Sequence, residues 1–239
     1  EPLPEWLVRD YALMSFAEAI ERIHFPQSIE QSERARKRLA FDELFLVQLA
    51  ALKIKAEWQE GASAPRLKAG DDLVKGFLAR QPFELTGAQK RVVKEIISDL
   101  ASPRPMTRLL QGDVGSGKTI VAAVAMLLAV AGGCQAALMA PTEILAEQHA
   151  HTLNAFYENA ESFLTEVLGR RLRLELLTGA SRGAARERIY KEAAEGVLDI
   201  LVGTQALIQE GLGFCRLGLA VVDEQHRFGV VQRSLLREK

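Results

Sequence analysis

Residues 108–131 read RLLQGDVGSGKTIVAAVAMLLAVA, and no other part of the chain constrains the fold as strongly. The pattern G-x-x-x-x-G-K-[ST] falls at Gly112 to Thr119, after a short apolar run and before an apolar helix without breakers. Glycines let successive backbone N–H groups turn inward around a phosphate, and the N-terminus of the following helix adds unpaired donors. The stretch therefore predicts a strand, a phosphate-binding loop and a helix.

The same loop supplies the predicted contacts to ATP. We expect Lys118 to reach the β- and γ-phosphates and Thr119 to place its hydroxyl on Mg²⁺. The alternative interpretation, a glycine-rich turn with no ligand, becomes weaker because a strand and a helix are predicted on either side. The residues predicted to hold the nucleotide are Gly112, Asp113, Val114, Gly115, Ser116, Gly117, Lys118 and Thr119.

Helical stretches alternate with short apolar, β-branched runs in the second part of the chain. This alternation predicts an α/β fold, with a parallel sheet and helices on both of its faces. The predicted strands cover residues 108–111, 136–140, 172–177, 200–203 and 219–222.

Two adjacent carboxylates follow one of these runs. The string LGLAVV at 217–222 predicts a buried strand that delivers Asp223 and Glu224 at its carboxyl end, where open α/β sheets bind ligands. We expect Asp223 to hold Mg²⁺, and Glu224 to orient or deprotonate the water that attacks the γ-phosphate. Without the phosphate loop, the pair is more simply interpreted as a solvated turn. With Lys118, it completes the predicted catalytic set.

The first part of the chain is predicted to be helical. Ser15 and Glu18 form a capping-box pattern for a short helix that stops near Pro26, and residues 30–60 contain no Gly or Pro. Breakers and small residues at 61–70 indicate a linker. We therefore predict a helical segment over 1–60, a linker over 61–80 and an ATP-binding domain over 81–239.

Composition limits the function classes. Thirty basic and thirty-one acidic residues give a net charge of -1, so any contact with DNA must be local, and the basic runs at 34–38 and 170–173 are interpreted as solvated faces. Cys134 and Cys215 lack disulfide or zinc spacing, which favours the cytoplasm. The longest apolar run, Ile120 to Ala131, is too short to span a membrane. Because the chain starts with Glu-Pro, we expect it to be part of a longer protein.

Six strings resemble motifs of the superfamily 2 helicases, and in particular those of the RecG family. They occur in the family's order, and the helical lead-in RLAFDELFLVQLA at 38–50 is also similar, so the resemblance covers essentially the whole chain. The strings are PFELTGAQ at 82–89, LLQGDVGSGKT at 109–119, APTEILAEQH at 140–149, LLTG at 176–179, GTQALIQ at 203–209 and VVDEQHRFGVVQR at 221–233.

The resemblance implies that PFELTGAQ recognises adenine. The Gln89 amide can pair with the N6/N7 edge of adenine, and the Phe83 ring offers a stacking face. Thr86 stands where the N-cap of the following helix is expected, so a capping role competes there. A polar position on a helix surface remains the alternative for Gln89.

The resemblance also implies contacts with the DNA backbone after three strands. Hydroxyls and backbone N–H groups at helix starts suit phosphate contacts, which give grip without reading sequence. We expect the family to have His more often at position 205, so Gln205 is a departure. The resemblance also implies that His226 of the DEQH string couples the state of the bound nucleotide to DNA binding. The implied DNA contacts are Pro141, Thr142, Thr178, Gly179, Thr204 and Gln205.

As a whole, the resemblance implies a RecA-like motor domain of an ATP-dependent DNA helicase or translocase. Such a protein would act on branched DNA, at stalled forks and Holliday junctions, in recombination and repair. A second motor domain with an arginine finger and a wedge domain would complete it, so we expect this chain alone to be nearly inactive. Two alternatives stay open: a transcription-repair coupling translocase, and a nucleotide-gated interaction module.

Overall fold

The computed structural model describes residues 2–61, 64–67 and 71–229, and it divides the chain into two compact units. Unit 1 is Glu1–Ala62 and unit 2 is Ser63–Lys239. The predicted linker, 61–80, contains a helix over Asp71–Leu78, whose Leu73 and Phe77 are buried in an apolar core. Residues 71–78 of the predicted linker are thus helical. The domain limits proposed from the sequence stay a prediction.

Unit 1 consists of three helices in its described part, α1 (Glu5–Asp10), α2 (Phe16–His24) and α3 (Ile29–Gly61). The Ser15 hydroxyl accepts a hydrogen bond from the backbone N–H of Glu18 at 3.3 Å, which caps α2 as predicted. The predicted long helix is confirmed as α3. The helices pack through two small clusters of buried residues: Leu3, Leu7 and Leu13, and Met14, Ala19 and Ala35.

A buried arginine reinforces this packing. The Arg38 side chain is 0% exposed, and its guanidinium donates to the Met14 carbonyl at 2.6 Å and to the Asp42 carboxylate at 3.0 Å. The interpretation of residues 34–38 as a solvated face is therefore wrong for Arg38, because its helical position faces the chain around Met14. Arg34, Arg36 and Lys37 are exposed.

Unit 2 contains one parallel sheet in its described part. Strands β1 (Gln135–Met139), β2 (Leu174–Leu177), β3 (Ile200–Gly203) and β4 (Leu217–Val222) lie in the order β2-β3-β1-β4. They confirm four of the five predicted strands, but the prediction that 217–222 is buried is wrong, because β4 lies at the edge of the described sheet and is half-buried with Ala220 exposed. All pairings are parallel, so each connection from one strand to the next has to cross over the sheet.

Helices cover both faces of this sheet. Ala136 and Leu138 of β1 are buried in one core cluster, and Ala137 and Met139, which point the other way, are buried in a second. This confirms the predicted α/β class. The helices of unit 2 are α4 (Asp71–Leu78), α5 (Gly87–Leu100), α6 (Lys118–Ala131), α7 (Glu143–Glu158), α8 (Glu161–Leu168) and α9 (Gly183–Ala194).

The predicted strand at 108–111 is wrong. Residues 105–113 have no assigned helix or strand, and Leu109 is exposed. The Arg108 guanidinium pairs with Asp99 and Glu95 of α5, at 2.7 and 2.5 Å. A short apolar run has no periodicity that separates a buried strand from an extended loop, so the sequence could not distinguish them here.

The end of the sheet at which β1 begins is held by one buried amide. The Gln135 side chain donates to the carbonyls of Ala193 and Leu198 at 2.9 and 2.8 Å, and it accepts from the backbone N–H of Arg216 at 3.0 Å. It thus joins the start of β1 to the end of α9 and to the residue before β4.

In the ranges that the structure describes, no helix has the length and apolarity needed to cross a membrane.

Candidate active site

The strands of unit 2 end level with one another. Met139 of β1 is paired with both Gly203 of β3 and Val222 of β4, and Leu177 of β2 is paired with Gly203. The segments that follow the four strands therefore leave the sheet at one edge. Residues from four of the predicted motifs start there, in the segments 140–142, 178–179, 204–205 and 223–224.

The phosphate loop enters α6 through glycines with left-handed backbone. Gly115 and Gly117 have φ of 79° and 76°, and Gly117 is the N-cap residue of α6. A Cβ built on Gly115 meets nothing within 4 Å, so the loop is open at that point. The Lys118 ammonium donates to the carbonyls of Gly112 and Asp113 at 2.8 and 2.9 Å. Open left-handed backbone and a lysine folded over the loop fit a phosphate-binding role.

Asp223 extends the pairing of β4 with β1. Its backbone N–H donates to the Met139 carbonyl at 2.9 Å, and its Oδ2 lies 2.8 Å from Nε2 of His149 on α7. The hydrogen bond from His149 lowers the pKa of Asp223 below its ordinary value, against the opposing effect of burial. The backbone N–H of Glu224 and the positive charge of Lys118 act in the same direction as His149. Asp223 is thus kept ionised, the form that binds a cation.

The turn after Asp223 is strained. Glu224 has φ and ψ of 50°, a conformation that residues other than glycine rarely adopt. Its exposed carboxylate lies 3.3 Å from Nε2 of His226, which stands in the short 3₁₀ turn Gln225–Arg227. The rest of the VVDEQHRFGVVQR string, from residue 230 onward, lies outside the described residues.

The expected adenine motif contacts the phosphate loop. Thr86 and Gln89 form a capping box for α5: the Gln89 side-chain oxygen accepts from the Thr86 N–H at 2.7 Å, and the Thr86 hydroxyl accepts from the Gln89 N–H at 3.3 Å. The Gln89 amide nitrogen donates to the Ser116 carbonyl at 2.8 Å. The capping role of Thr86 is confirmed, and the adenine contact of Gln89 stays a prediction, since both ends of its amide already have partners.

The Phe83 ring, the other expected adenine contact, is 40% exposed. It packs edge-on against Phe156 near the end of α7, with 5.8 Å between ring centroids. A stacking face for a base is therefore present at the surface, and its use by adenine stays a prediction.

The residues expected to contact DNA differ in exposure. Thr142 is exposed, and its hydroxyl caps α7 by accepting from the Leu145 N–H at 3.3 Å. Thr178 is buried, and its hydroxyl accepts from the Ala180 N–H at 3.3 Å. Of the others, Gly179 and Gln205 are exposed, whereas Pro141 and Thr204 are half-buried. Their contacts with DNA stay predictions.

Two side chains that the sequence interpretation did not single out hold this edge together. Glu143, the first residue of α7, accepts from the backbone N–H of Ala180 at 3.2 Å. His149, on the same helix, holds Asp223. Both lie inside the quoted string APTEILAEQH, and His149, seven residues after Thr142, lies on the helix face of that capping residue. That spacing was the available signal, although it does not identify a partner far away in sequence.

The sequence model of the DEAD/DEAH box helicase family matches residues 86–238. The chain belongs to this family. Membership implies the use of ATP, in agreement with the phosphate loop and with the DEQH string at 223–226.

The chain is also similar to proteins named ATP-dependent DNA helicase RecG. It is 47% identical over 239 residues to the protein of Synechocystis sp., 44% to that of Streptococcus pneumoniae and 43% to that of Bacillus subtilis. It is covered completely in these matches but spans only 28%, 34% and 34% of the relatives' length. The solved structure of RecG bound to a three-way DNA junction matches with a TM-score of 0.82 and 41% identity, over 96% of this chain and 30% of that one. The resemblance stated from the motifs is confirmed.

Proposed function

We propose that this chain is the first motor domain of an ATP-dependent DNA helicase that remodels branched DNA in recombination and repair. Its substrates would be stalled forks and Holliday junctions, and ATP hydrolysis would drive movement along duplex DNA and branch migration. The cytoplasm is the proposed location. The relatives named RecG and the RecG structure with a three-way junction support the choice of substrate.

The observation that carries the proposal is the common edge of the sheet. The segments after β1, β2 and β3, which are expected to touch DNA, start along the same edge of the sheet as Asp223, and the segment after β1 is its direct neighbour. Asp223 in turn lies within electrostatic reach of Lys118 in the phosphate loop. Ligands of open α/β sheets bind at this edge, so a nucleotide and a DNA backbone would be held by neighbouring loops.

The proposed roles in ATP hydrolysis follow from this placement. Lys118 would release its two loop carbonyls and bind the phosphates, while Thr119 and Asp223 would hold Mg²⁺. When bound, Mg²⁺ neutralises the charge of the phosphate oxygens. The exposed Glu224 would orient or deprotonate the attacking water. His226, which pairs with Glu224, would link this carboxylate to DNA binding.

Other parts of the whole protein complete the proposal. A second motor domain would supply an arginine finger, and a wedge domain would bind the branch point of the DNA. The chain spans about a third of the length of the RecG relatives, and the remaining length in such proteins is sufficient for a second motor domain and a wedge domain.

The test uses the full-length protein that carries this chain and a three-way DNA junction. We expect Lys118→Ala to abolish junction unwinding and to weaken nucleotide binding about 10- to 100-fold, because a charge-assisted contact to phosphate is lost. Lys94→Ala, an exposed lysine on α5, is the matched control and should behave like the wild type. Junction unwinding by Lys118→Ala at the wild-type rate would contradict the motor role. Binding to RNA polymerase in place of branched DNA would favour a transcription-coupled translocase.

A further inference from the structure

His149 ends a string that is expected to contact DNA, and it contacts Asp223, which is expected to bind Mg²⁺. Neither expectation assigns a role to His149 itself. Its ring is 19% exposed, and its Nε2 lies 2.8 Å from Oδ2 of Asp223, which is 29% exposed. The carboxylate is the acceptor, so Nε2 carries the proton and donates, whether the ring is neutral or charged. This contact joins α7 to the first residue after β4.

The helix that carries His149 is firmly attached to the core. Ala146, Ala150 and Leu153 of α7 are buried, and the Tyr157 hydroxyl donates to the Ala123 carbonyl of α6 at 3.0 Å. α6 is the helix that begins at Lys118 of the phosphate loop. The imidazole is therefore held at a set place relative to the phosphate loop, and it restricts the orientation of the Asp223 carboxylate.

The N-terminus of α7 lies at the edge expected to contact DNA. Thr142 caps the helix, and Glu143 accepts from the backbone N–H of Ala180 in the loop after β2. One rigid helix therefore reaches from two of the predicted DNA-contact loops to the carboxylate predicted to bind the metal.

We propose that His149 is a positioning residue that orients Asp223 for Mg²⁺, and that α7 thereby connects DNA contact to the ATP site. This inference rests on the proposed function, since it takes Asp223 as the metal-binding carboxylate. His149 touches neither nucleotide nor DNA in this role. A partner that fixes a ligand in this way contributes about 10- to 100-fold to metal affinity in other metal sites.

The experiment compares three variants of the full-length protein. His149→Gln keeps an N–H donor in nearly the same place, whereas His149→Phe keeps a planar ring and loses the donor. His151→Phe is the matched control, because His151 is exposed and lies two residues further along the same helix. The affinity for fluorescently labelled ADP is measured with excess Mg²⁺ and with EDTA, and the ratio of the two affinities is the readout.

We expect the ratio to fall by about tenfold or more in His149→Phe and to stay near the wild-type value in His149→Gln and His151→Phe. Because the affinity in EDTA does not involve the metal, it should not change in any variant. An unchanged ratio in His149→Phe would overturn the inference, as would an equal loss with and without Mg²⁺, which would indicate general damage to the fold.

A second readout tests the connection through α7. The stimulation of ATP hydrolysis by a three-way junction should be weaker in His149→Phe than in His149→Gln, even at Mg²⁺ concentrations that saturate both. Equal stimulation in the two variants would remove the connection from the inference.

The proposed function can fail separately. If the wild type binds nucleotide with Mg²⁺ but does not unwind branched DNA, the assignment of substrate is wrong while the role of His149 in metal binding stands. If the wild type shows no effect of Mg²⁺ on ADP affinity, both the metal site and this inference are wrong.

Discussion

Glu224 combines a strained backbone with an exposed carboxylate. A non-glycine residue at φ of 50° costs about 1–3 kcal/mol, and such residues cluster at sites of function. Two substitutions separate the backbone from the carboxylate. Glu224→Gln keeps the strain and the shape but loses the base, whereas Glu224→Gly loses the carboxylate and relieves the strain.

We predict that both variants of Glu224 lower ATP turnover by about 10²- to 10⁴-fold, because a positioned general base contributes that much. Only Glu224→Gly should raise the free energy of unfolding, by about 1 kcal/mol. Turnover is measured by phosphate release in the full-length protein, and stability by urea denaturation. A Glu224→Gln variant with normal turnover would contradict the assignment of the base.

Gly179 shows why a glycine follows Thr178 in the LLTG string. A Cβ built there would lie 2.9 Å from Oε1 of Glu143, the oxygen that accepts from Ala180. We predict that Gly179→Ala lowers the free energy of unfolding by about 1 kcal/mol through the loss of this hydrogen bond. Gly213→Ala is the control, because a Cβ at Gly213 meets nothing within 4 Å.

A double-mutant cycle tests the cause of the effect at Gly179. With Glu143→Ala in place, the carboxylate that the new methyl group would meet is gone, so Gly179→Ala should become nearly neutral. A cost that is the same in both backgrounds, measured by denaturation, would assign the need for glycine to another contact.

At the scale of the elements, Arg38 pairs with Asp42 within α3 and joins this helix to the Met14 carbonyl, just before α2. We predict that Arg38→Ala destabilises unit 1 by about 3–5 kcal/mol, because it leaves the largely buried Asp42 carboxylate without its partner. Arg36→Ala, an exposed neighbour, should change stability by less than about 0.5 kcal/mol. Both tryptophans of the chain, Trp6 and Trp58, fall within the range of unit 1, so tryptophan fluorescence is the probe for its denaturation. Equal stability of the two variants would contradict the structural role of Arg38.

The elements also show how far sequence patterns extend. The phosphate loop, four strands and the cap of α5 could be predicted, since each depends on neighbours within a few residues. The contacts of Glu143 with Ala180 and of His149 with Asp223 could not, because they join segments 37 and 74 residues apart. The prediction of a strand at 108–111 is wrong for a related reason, since pairing in a sheet depends on a neighbouring strand and not on the run itself.

Gln89 is an intermediate case. Its place in a capping box follows from the spacing of Thr86 and Gln89, which is local. The contact of its amide nitrogen with Ser116 depends on how α5 packs beside the phosphate loop, and no pattern within the PFELTGAQ string indicates it.

At the scale of the whole molecule, hydrolysis is proposed to need a second motor domain. We predict that this 239-residue chain alone turns over ATP at about 10⁻³ of the rate of the full-length protein or less, since an arginine finger contributes 10³ to 10⁵ in rate. The comparison is made at saturating ATP with a three-way junction present. Nucleotide binding by the chain alone is the control that its loop is folded. Turnover by the chain close to the full-length rate would place all the catalytic groups within these 239 residues.

Gln135 lies at the opposite end of the sheet from the site, yet it bears on how accurately Asp223 is placed. Its side chain accepts a hydrogen bond from the backbone N–H of Arg216, the residue immediately before β4, and donates to the carbonyls of Ala193 in α9 and of Leu198. A shift of β4 by one residue would break the hydrogen bond to Arg216 and turn every side chain of the strand to the other face. The Gln135 amide therefore fixes the register of β4 from the start of the strand, and this register sets the position of Asp223 just after its end.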